Sequence, residues 1–230
     1  MSAAASIAQV ASLVGDPGRA NMLAALLDGR ALTATELAVT AGISPATASG
    51  HLGKLTEGGL LSLARQGRHR YFRLASADVA RMLEGILVVA GKAEPDAGRR
   101  VTPRIAPEMR EARACYDHLA GRLAVALADA LIARGAVVLS DEAGEVTPAG
   151  RAWLSEFGIA QDAAARSRRL FCRPCLDWSE RRPHLAGRLG AALCARCEEL
   201  GWIARSRDSR AVIVTEMGRR GFSETFGVVC

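Results

Sequence analysis

Six cysteines, none before residue 115, are the most reactive side chains in this 230-residue chain. Cys172-Arg-Pro-Cys175 and Cys194-Ala-Arg-Cys197 are two C-x-x-C pairs with eighteen residues between them, inside the range read as a tetrahedral four-thiolate zinc site. Cys194 and Cys197 stand three apart on one helical face and Cys172 and Cys175 lie in the preceding loop, so the pairs can meet. A second grouping stays open beside it. Cys115, His118, Cys175 and His184 fall around the starts of two similar helical stretches. A helix N-terminus favours thiolate there, which suits a soft metal, trivalent arsenic or an oxidant. Each grouping has a plainer counterpart: Cys197 can fill a core position as a small hydrophobe, and Cys115 can be a buried thiol beside a capping Asp117 and a hydrogen-bonded His118.

A different chemistry is written into Gly42–Leu55. Ser44 can cap a helix that Pro45 begins, where the missing proline N–H costs nothing. Ala48, Leu52 and Leu55 recur at helical spacing and must face a core, which leaves Thr47, Gly50, His51 and Lys54 on the opposite face, with Ser49 alongside. Hydroxyls and a cation on such a face can reach base edges and phosphates in a major groove, and glycine lets the backbone come close. An ordinary solvated helix over an all-α core is the alternative.

The flanking elements favour the groove. Thr33-Ala34-Thr35-Glu36 reads as a capping box that opens a short helix, which Gly42 closes. After Leu55 come two strand-like runs, Leu60–Ala64 and His69–Leu74, around Gly67. Arg65, Arg68, Arg70 and Arg73 on that hairpin suit phosphates or a minor groove. Helix, turn, helix and basic hairpin is the order of a winged helix-turn-helix.

With these motifs in that order, residues 7–87 resemble the ArsR/SmtB family of bacterial winged-helix repressors. Gly15-Asp16-Pro17-Gly18-Arg19 is similar to the family's helix opening, Ser44 to Leu55 to its recognition helix, and Gly67 to Leu74 to its wing. The resemblance implies a homodimer seated on an inverted-repeat operator and released by an inducer, often a thiophilic metal or metalloid. The ligand positions of better-known members do not carry over. Glu36 to Thr40 replaces the paired cysteines of some, Lys54 and Gly58 stand where others have theirs, and the last helix of the domain offers Asp78 without a suitable histidine. Metal sensing, if present, therefore falls to the C-terminal half.

Composition bounds the remainder. Half the residues are apolar, enough for real cores, while only 4% are aromatic, so those cores are built of Ala, Leu and Val. A formal charge of +6 favours an anionic partner such as DNA. No apolar run approaches the ~20 residues of a membrane span, and Met1–Val10 lacks a charged, signal-like start, so a soluble cytoplasmic protein with no membrane partner is expected. Phe171–Cys175 resembles the C-x-P-C of thioredoxin-like oxidoreductases but lacks a βαβ framework, and no Ser/His/Asp set, P-loop or dinucleotide fingerprint occurs. No enzyme is expected.

Beyond the first domain, residues 1–90, the stretch 91–107 loses hydrophobic periodicity and reads as a linker. Just before it, Val79, Met82, Leu83, Ile86 and Leu87 form a stripe that can pair with another subunit. Residues 108–230 then carry an internal duplication: His118-Leu119-Ala120-Gly121-Arg122-Leu123 returns as His184-Leu185-Ala186-Gly187-Arg188-Leu189. Val146-Thr147-Pro148-Ala149-Gly150-Arg151 likewise answers to Val214-Thr215-Glu216-Met217-Gly218-Arg219. Each copy, about 115–159 and about 181–228, reads as helix, hairpin, helix, with helices starting at Leu119 and Leu185.

The expected fold is therefore mainly α with small β-hairpins: an N-terminal winged helix-turn-helix, and an α+β C-terminal sensor or dimerisation domain made of two winged-helix-like repeats. The expected function is a homodimeric DNA-binding repressor with Ser44, Thr47, Ser49, Gly50, His51 and Lys54 and the four wing arginines on double-stranded operator DNA. No cofactor is fixed beyond zinc or another thiophilic metal or metalloid at the cysteines. The alternative is a thiol–disulfide oxidoreductase or a zinc-stabilised interaction protein using the C-x-x-C pairs.

Overall fold

The computed structural model describes residues 3–66, 69–93, 106–140, 143–159, 169–207 and 209–230. The chain divides into two compact units, residues 1–105 and 106–230, each with its own apolar core.

The first unit opens with α1 (Ala3–Val14) and α2 (Pro17–Ala25), the latter running into a 3-10 turn at Leu26–Asp28. Asp16 caps α2 by accepting from the Arg19 N–H at 2.9 Å, and Pro17 takes the first helical position. The Arg19 side chain then donates back to the Leu13 and Ser12 carbonyls, tying α1 to α2. After β1 (Leu32–Thr33), α3 (Ala34–Ala41) starts in a full capping box: Glu36 N–H donates to Thr33 Oγ1, and Thr33 N–H donates to Glu36 Oε2 at 2.7 Å. Gly42 in the left-handed region ends it and turns the chain into α4 (Pro45–Glu57), capped by Ser44. Ala48, Leu52 and Leu55 are buried beside Met22, Leu23, Leu26 and Leu37. Burying each leucine contributes about 1.5–3 kcal/mol, which fixes α4 against the rest.

Two strands follow, β2 (Leu61–Gln66) and β3 (His69–Leu74), paired antiparallel, with β1 on the far edge of β3. This is the wing of a winged helix-turn-helix. The unit closes with α5 (Ala77–Ala93), where the Val79 N–H donates to Ser76 Oγ. The helix continues into the first residues of the expected linker, of which 94–105 lie outside the described residues.

The second unit begins with α6 (Pro107–Glu111) and the hairpin β4 (Arg113–Cys115) and β5 (His118–Ala120). There follow α7 (Arg122–Ala133), the hairpin β6 (Val137–Leu139) and β7 (Gly144–Val146), and α8 (Pro148–Glu156). The same element order then recurs: hairpin β8 (Arg173–Leu176) and β9 (Pro183–Ala186), α9 (Gly187–Glu199), hairpin β10 (Ile203–Arg205) and β11 (Val212–Val214), and α10 (Glu216–Phe226).

Helices expected from Leu119 and Leu185 instead start at Arg122 and Gly187, and His118–Ala120 and Pro183–Ala186 are strands. The breaks are Gly121 at φ +88° and Gly187 at φ +81°, a region open to glycine. A Cβ on either would lie 2.7 Å from a backbone carbonyl oxygen, of Arg110 or of Leu170.

The two halves of this unit interlock. Ala114 N–H donates to the Arg210 carbonyl and Val212 N–H to the Ala112 carbonyl, so β4 reaches the later half. Reciprocally, Gly144 of β7 bridges to Cys172. Leu123, Leu127, Leu131, Leu189, Leu193, Trp202 and Phe222 fill the shared core.

Candidate nucleic-acid interface and a buried cysteine–histidine cluster

On α4 the inward residues are closed to solvent, and Ser44, Thr47, Ser49, Gly50, Gly53 and Lys54 are exposed. Thr47 N–H donates to Ser44 Oγ at 3.1 Å, and the two hydroxyls stand 2.9 Å apart, leaving a polar edge at the start of the helix. A Cβ on Gly50 or Gly53 would meet nothing within 4 Å. No intrachain packing therefore requires glycine there, although each costs a helix about 1 kcal/mol relative to alanine.

His51 departs from the expected face. It is half-buried, with Nε2 3.4 Å from Asp16 and Nδ1 3.4 Å from Arg19, because the start of α2 lies beside this side of α4. It thereby ties α2 to α4.

On the wing, Arg65 and Arg70 are exposed and directly opposite one another, and Arg73, also exposed, donates to Ser62 at 3.2 Å. Like charges facing across a hairpin are destabilising unless an anion lies between them. Arg68, with Gly67, lies outside the described residues.

The cysteines sort differently from their C-x-x-C spacing. No cysteine is in a disulfide. Cys172 bridges to Gly144, where its Sγ would lie 2.6 Å from an added Cβ, while Cys175 sits opposite His184 across β8 and β9. Cys194 and Cys197 point into the core from α9, and Arg205 donates to Cys194 Sγ at 3.8 Å. Among the described residues, then, Cys172, Cys175, Cys194 and Cys197 do not gather as one set of ligands. Burial pushes the thiols of Cys172 and Cys194 up to about 11 and that of Cys197 to about 12. That is the reverse of what a redox-active C-x-x-C requires, and Cys172 and Cys175 sit at a hairpin rather than at a helix start.

The group that does form joins Cys115, His118, Cys175 and His184, whose ligand atoms all lie within 4.8 Å of one another. Cys115 stands directly opposite His118 across β4 and β5, as Cys175 does opposite His184. The imidazole centroids are 5.1 Å apart. His118 Nε2 and both ring nitrogens of His184 are buried with no nitrogen or oxygen partner in hydrogen-bond geometry, and an orphaned buried polar atom costs about 1–3 kcal/mol. Because these side chains stand on strands, no helix start lowers Cys115. Its thiol is instead pushed up to about 11, first by the hydrogen bond with Cys175 and then by burial.

Carboxylates stand behind both histidines: Asp117, expected as a helix cap, and Asp177, which no motif marks. Asp117 Oδ1 is 3.2 Å from His118 Nδ1, and Asp177 Oδ2 is 3.6 Å from His184 Nδ1. Arg169 grips Asp117 with both terminal nitrogens, and this hydrogen bonding leads the forces that hold the carboxyl down to about 2. Burial alone would raise Asp177, but Arg113, the Gly121 N–H and Ser179 together hold it well below the usual carboxylate range.

An open polar helix face backed by a cationic wing defines a DNA-binding transcriptional regulator, and the comparisons agree. The helix-turn-helix domain family matches residues 14–64. Over 223 residues, 97% of this chain and 98% of the relative, the sequence is 42% identical to the uncharacterized HTH-type transcriptional regulator YdfF of Bacillus subtilis (strain 168). The chain belongs to this family of helix-turn-helix transcriptional regulators. It is also 32% identical over 148 residues, 61% of this chain and 53% of the relative, to the HTH-type transcriptional regulator Rv0324 of Mycobacterium tuberculosis. A solved homodimeric winged helix-turn-helix DNA-binding domain from Mycobacterium bovis, of a possible ArsR-family regulator, is 29% identical and covers 41% of this chain and 87% of its own, with a TM-score of 0.37.

Proposed function

We propose that the protein is an ArsR-type repressor that grips an operator as a homodimer. Thr47, Ser49, Gly50 and Lys54 would enter the major groove, Ser44 would meet phosphate at the helix start, and Arg65, Arg68, Arg70 and Arg73 would flank it. The observation that carries this reading is the division of α4 into a sealed apolar face and an open face whose glycines no neighbour demands. A second subunit is supported by apolar side chains left in water, Ile7 on α1 and Ile86 and Val89 on α5.

The second unit is the effector half in this reading, a duplicated domain built from two winged-helix-like repeats. The identical hexapeptide supports it, as do matching helix starts: Thr147 Oγ1 donates to the Gly135 carbonyl at 2.7 Å and Thr215 Oγ1 to the Gly201 carbonyl at 2.7 Å. Occupying a promoter excludes polymerase, and release follows when a thiophilic metal or metalloid binds the DNA-free state better. The test is a fluorescence-anisotropy titration of the protein's own promoter fragment. Lys54→Ala and Thr47→Ala are each expected to weaken specific binding by about tenfold, equivalent to about 1.4 kcal/mol. Unchanged affinity in both would remove α4 from the interface.

A further inference from the structure

We propose that Cys115 Sγ, His118 Nε2, Cys175 Sγ and His184 Nε2 are the four ligands of one tetrahedral divalent cation of the zinc–cadmium class. The two hairpins each contribute a cysteine and a histidine from directly opposed positions, and the four ligand atoms already lie within 4.8 Å of one another. With metal–sulfur bonds of about 2.3 Å and metal–nitrogen bonds of about 2.0–2.1 Å, the edges of such a tetrahedron measure about 3.3–3.8 Å. Closing that gap takes movements of about 1 Å or less, on the scale of side-chain adjustment.

Two further observations point to a metal rather than to ordinary packing. His118 Nε2 and His184 Nε2 are buried with no nitrogen or oxygen partner in hydrogen-bond geometry, and both imidazoles interact with the Cys115 thiol, as ligands gathered around one cation would. Behind His118, Asp117 Oδ1 stands 3.2 Å from Nδ1, the carboxylate–histidine–metal arrangement that orients a ligating imidazole, while Asp177 Oδ2 stands 3.6 Å from His184 Nδ1, near enough to attract but not to hydrogen-bond. Charge also balances. On binding, the two thiols release two protons, and two thiolates then neutralise the dication, while Asp117 and Asp177 are already matched by Arg169 and Arg113. A buried neutral centre results. A trivalent metalloid, which bonds three thiolates, finds only two here.

Bound metal would clamp β4–β5 of one half to β8–β9 of the other, so it would change how firmly the second unit is closed. As a metal site this stands alone; as the seat of the inducer it rests on the repressor reading above.

The experiment uses reduced, chelator-treated full-length protein titrated with Co²⁺ and then Zn²⁺. One equivalent per chain is expected, with the strong visible bands of tetrahedral cobalt, a sulfur-to-cobalt charge-transfer band, two protons released, and full displacement by Zn²⁺. Asp117→Asn should weaken binding about tenfold. Cys115→Ser should weaken it more, and Cys172→Ser and Cys194→Ser should match wild type. Should Cys115→Ser fail to fold, the wild-type spectrum and the proton count decide. A pale octahedral spectrum without charge transfer, or binding kept by Cys115→Ser and lost by Cys194→Ser, overturns the site. Operator affinity is measured separately on the metal-free protein, so either idea can fail while the other stands.

Discussion

Arg113 and Asp177 form an ion pair of 2.8 Å with both side chains closed to solvent, joining the two halves of the second unit across 64 residues of sequence. Arg113 also donates to Met109 and Ser179 and lies over Trp178 at 4.7 Å, while Asp177 accepts from the Gly121 N–H at 2.7 Å. Removing one member of such a pair strands the other charge. Arg113→Met is therefore expected to destabilise the second unit by about 3–5 kcal/mol. All three tryptophans, Trp153, Trp178 and Trp202, lie in that unit, so urea unfolding followed by their fluorescence reads it directly. A midpoint equal to wild type would show that the pair is idle.

Acid should loosen the same unit. Unfolded aspartates titrate near 3.9, whereas Asp117 is held at about 2 by Arg169 and Asp177 is held well below the usual range, so the unfolded chain binds more protons in this interval. Both groups have lowered folded values, so their stabilisation is complete above about pH 5 and is lost as pH falls toward 2. The urea midpoint read by tryptophan fluorescence should drop steadily over that interval, and Asp117→Asn should flatten part of the slope. A midpoint indifferent to pH between 5 and 3 would contradict this assignment.

Gly50 separates stability from binding. With open space where its Cβ would stand, Gly50→Ala should stabilise α4 by about 1 kcal/mol. The added methyl then occupies the surface that approaches DNA, and operator affinity should fall about tenfold, or about 1.4 kcal/mol. Thermal melts and anisotropy on one preparation give both numbers. A variant more stable and equally tight would move the interface away from Gly50.

Arg65 and Arg70, opposed on the wing, should act through phosphates. Replacing both with alanine is expected to reduce the slope of log affinity against log salt by about 2, near 0.9 for each phosphate no longer neutralised, and to weaken all DNA alike. An unchanged slope would leave the wing without a role in binding.

Local rules made the first unit readable. Thr33 and Glu36, Ser44 and Pro45, and the spacing of Ala48, Leu52 and Leu55 each act within a few residues, so their consequences can be read along the chain. His51 could not be placed that way, because its partner is Asp16, far off in sequence. In the second unit the short apolar runs around Leu119 and Leu185 fit a strand as well as a helix, and the positive φ of Gly121 and Gly187 decides between them. The eighteen-residue spacing of the C-x-x-C pairs suggested one site; alternation along a strand sends Cys172 and Cys175 to different neighbours. The carboxylate of Asp177 meets Arg113 and Gly121 only through the interlocking of two halves, which no periodicity records.

The most direct measurement sets the protein's own promoter fragment against a scrambled duplex of equal length and composition at about 0.15 M salt, where surface charges alone are screened beyond about 8 Å. The promoter fragment is expected to bind at least about a thousandfold more tightly, as specific recognition through a groove requires. Equal affinity for the two duplexes would contradict the assignment of α4 and its wing as a sequence-reading surface.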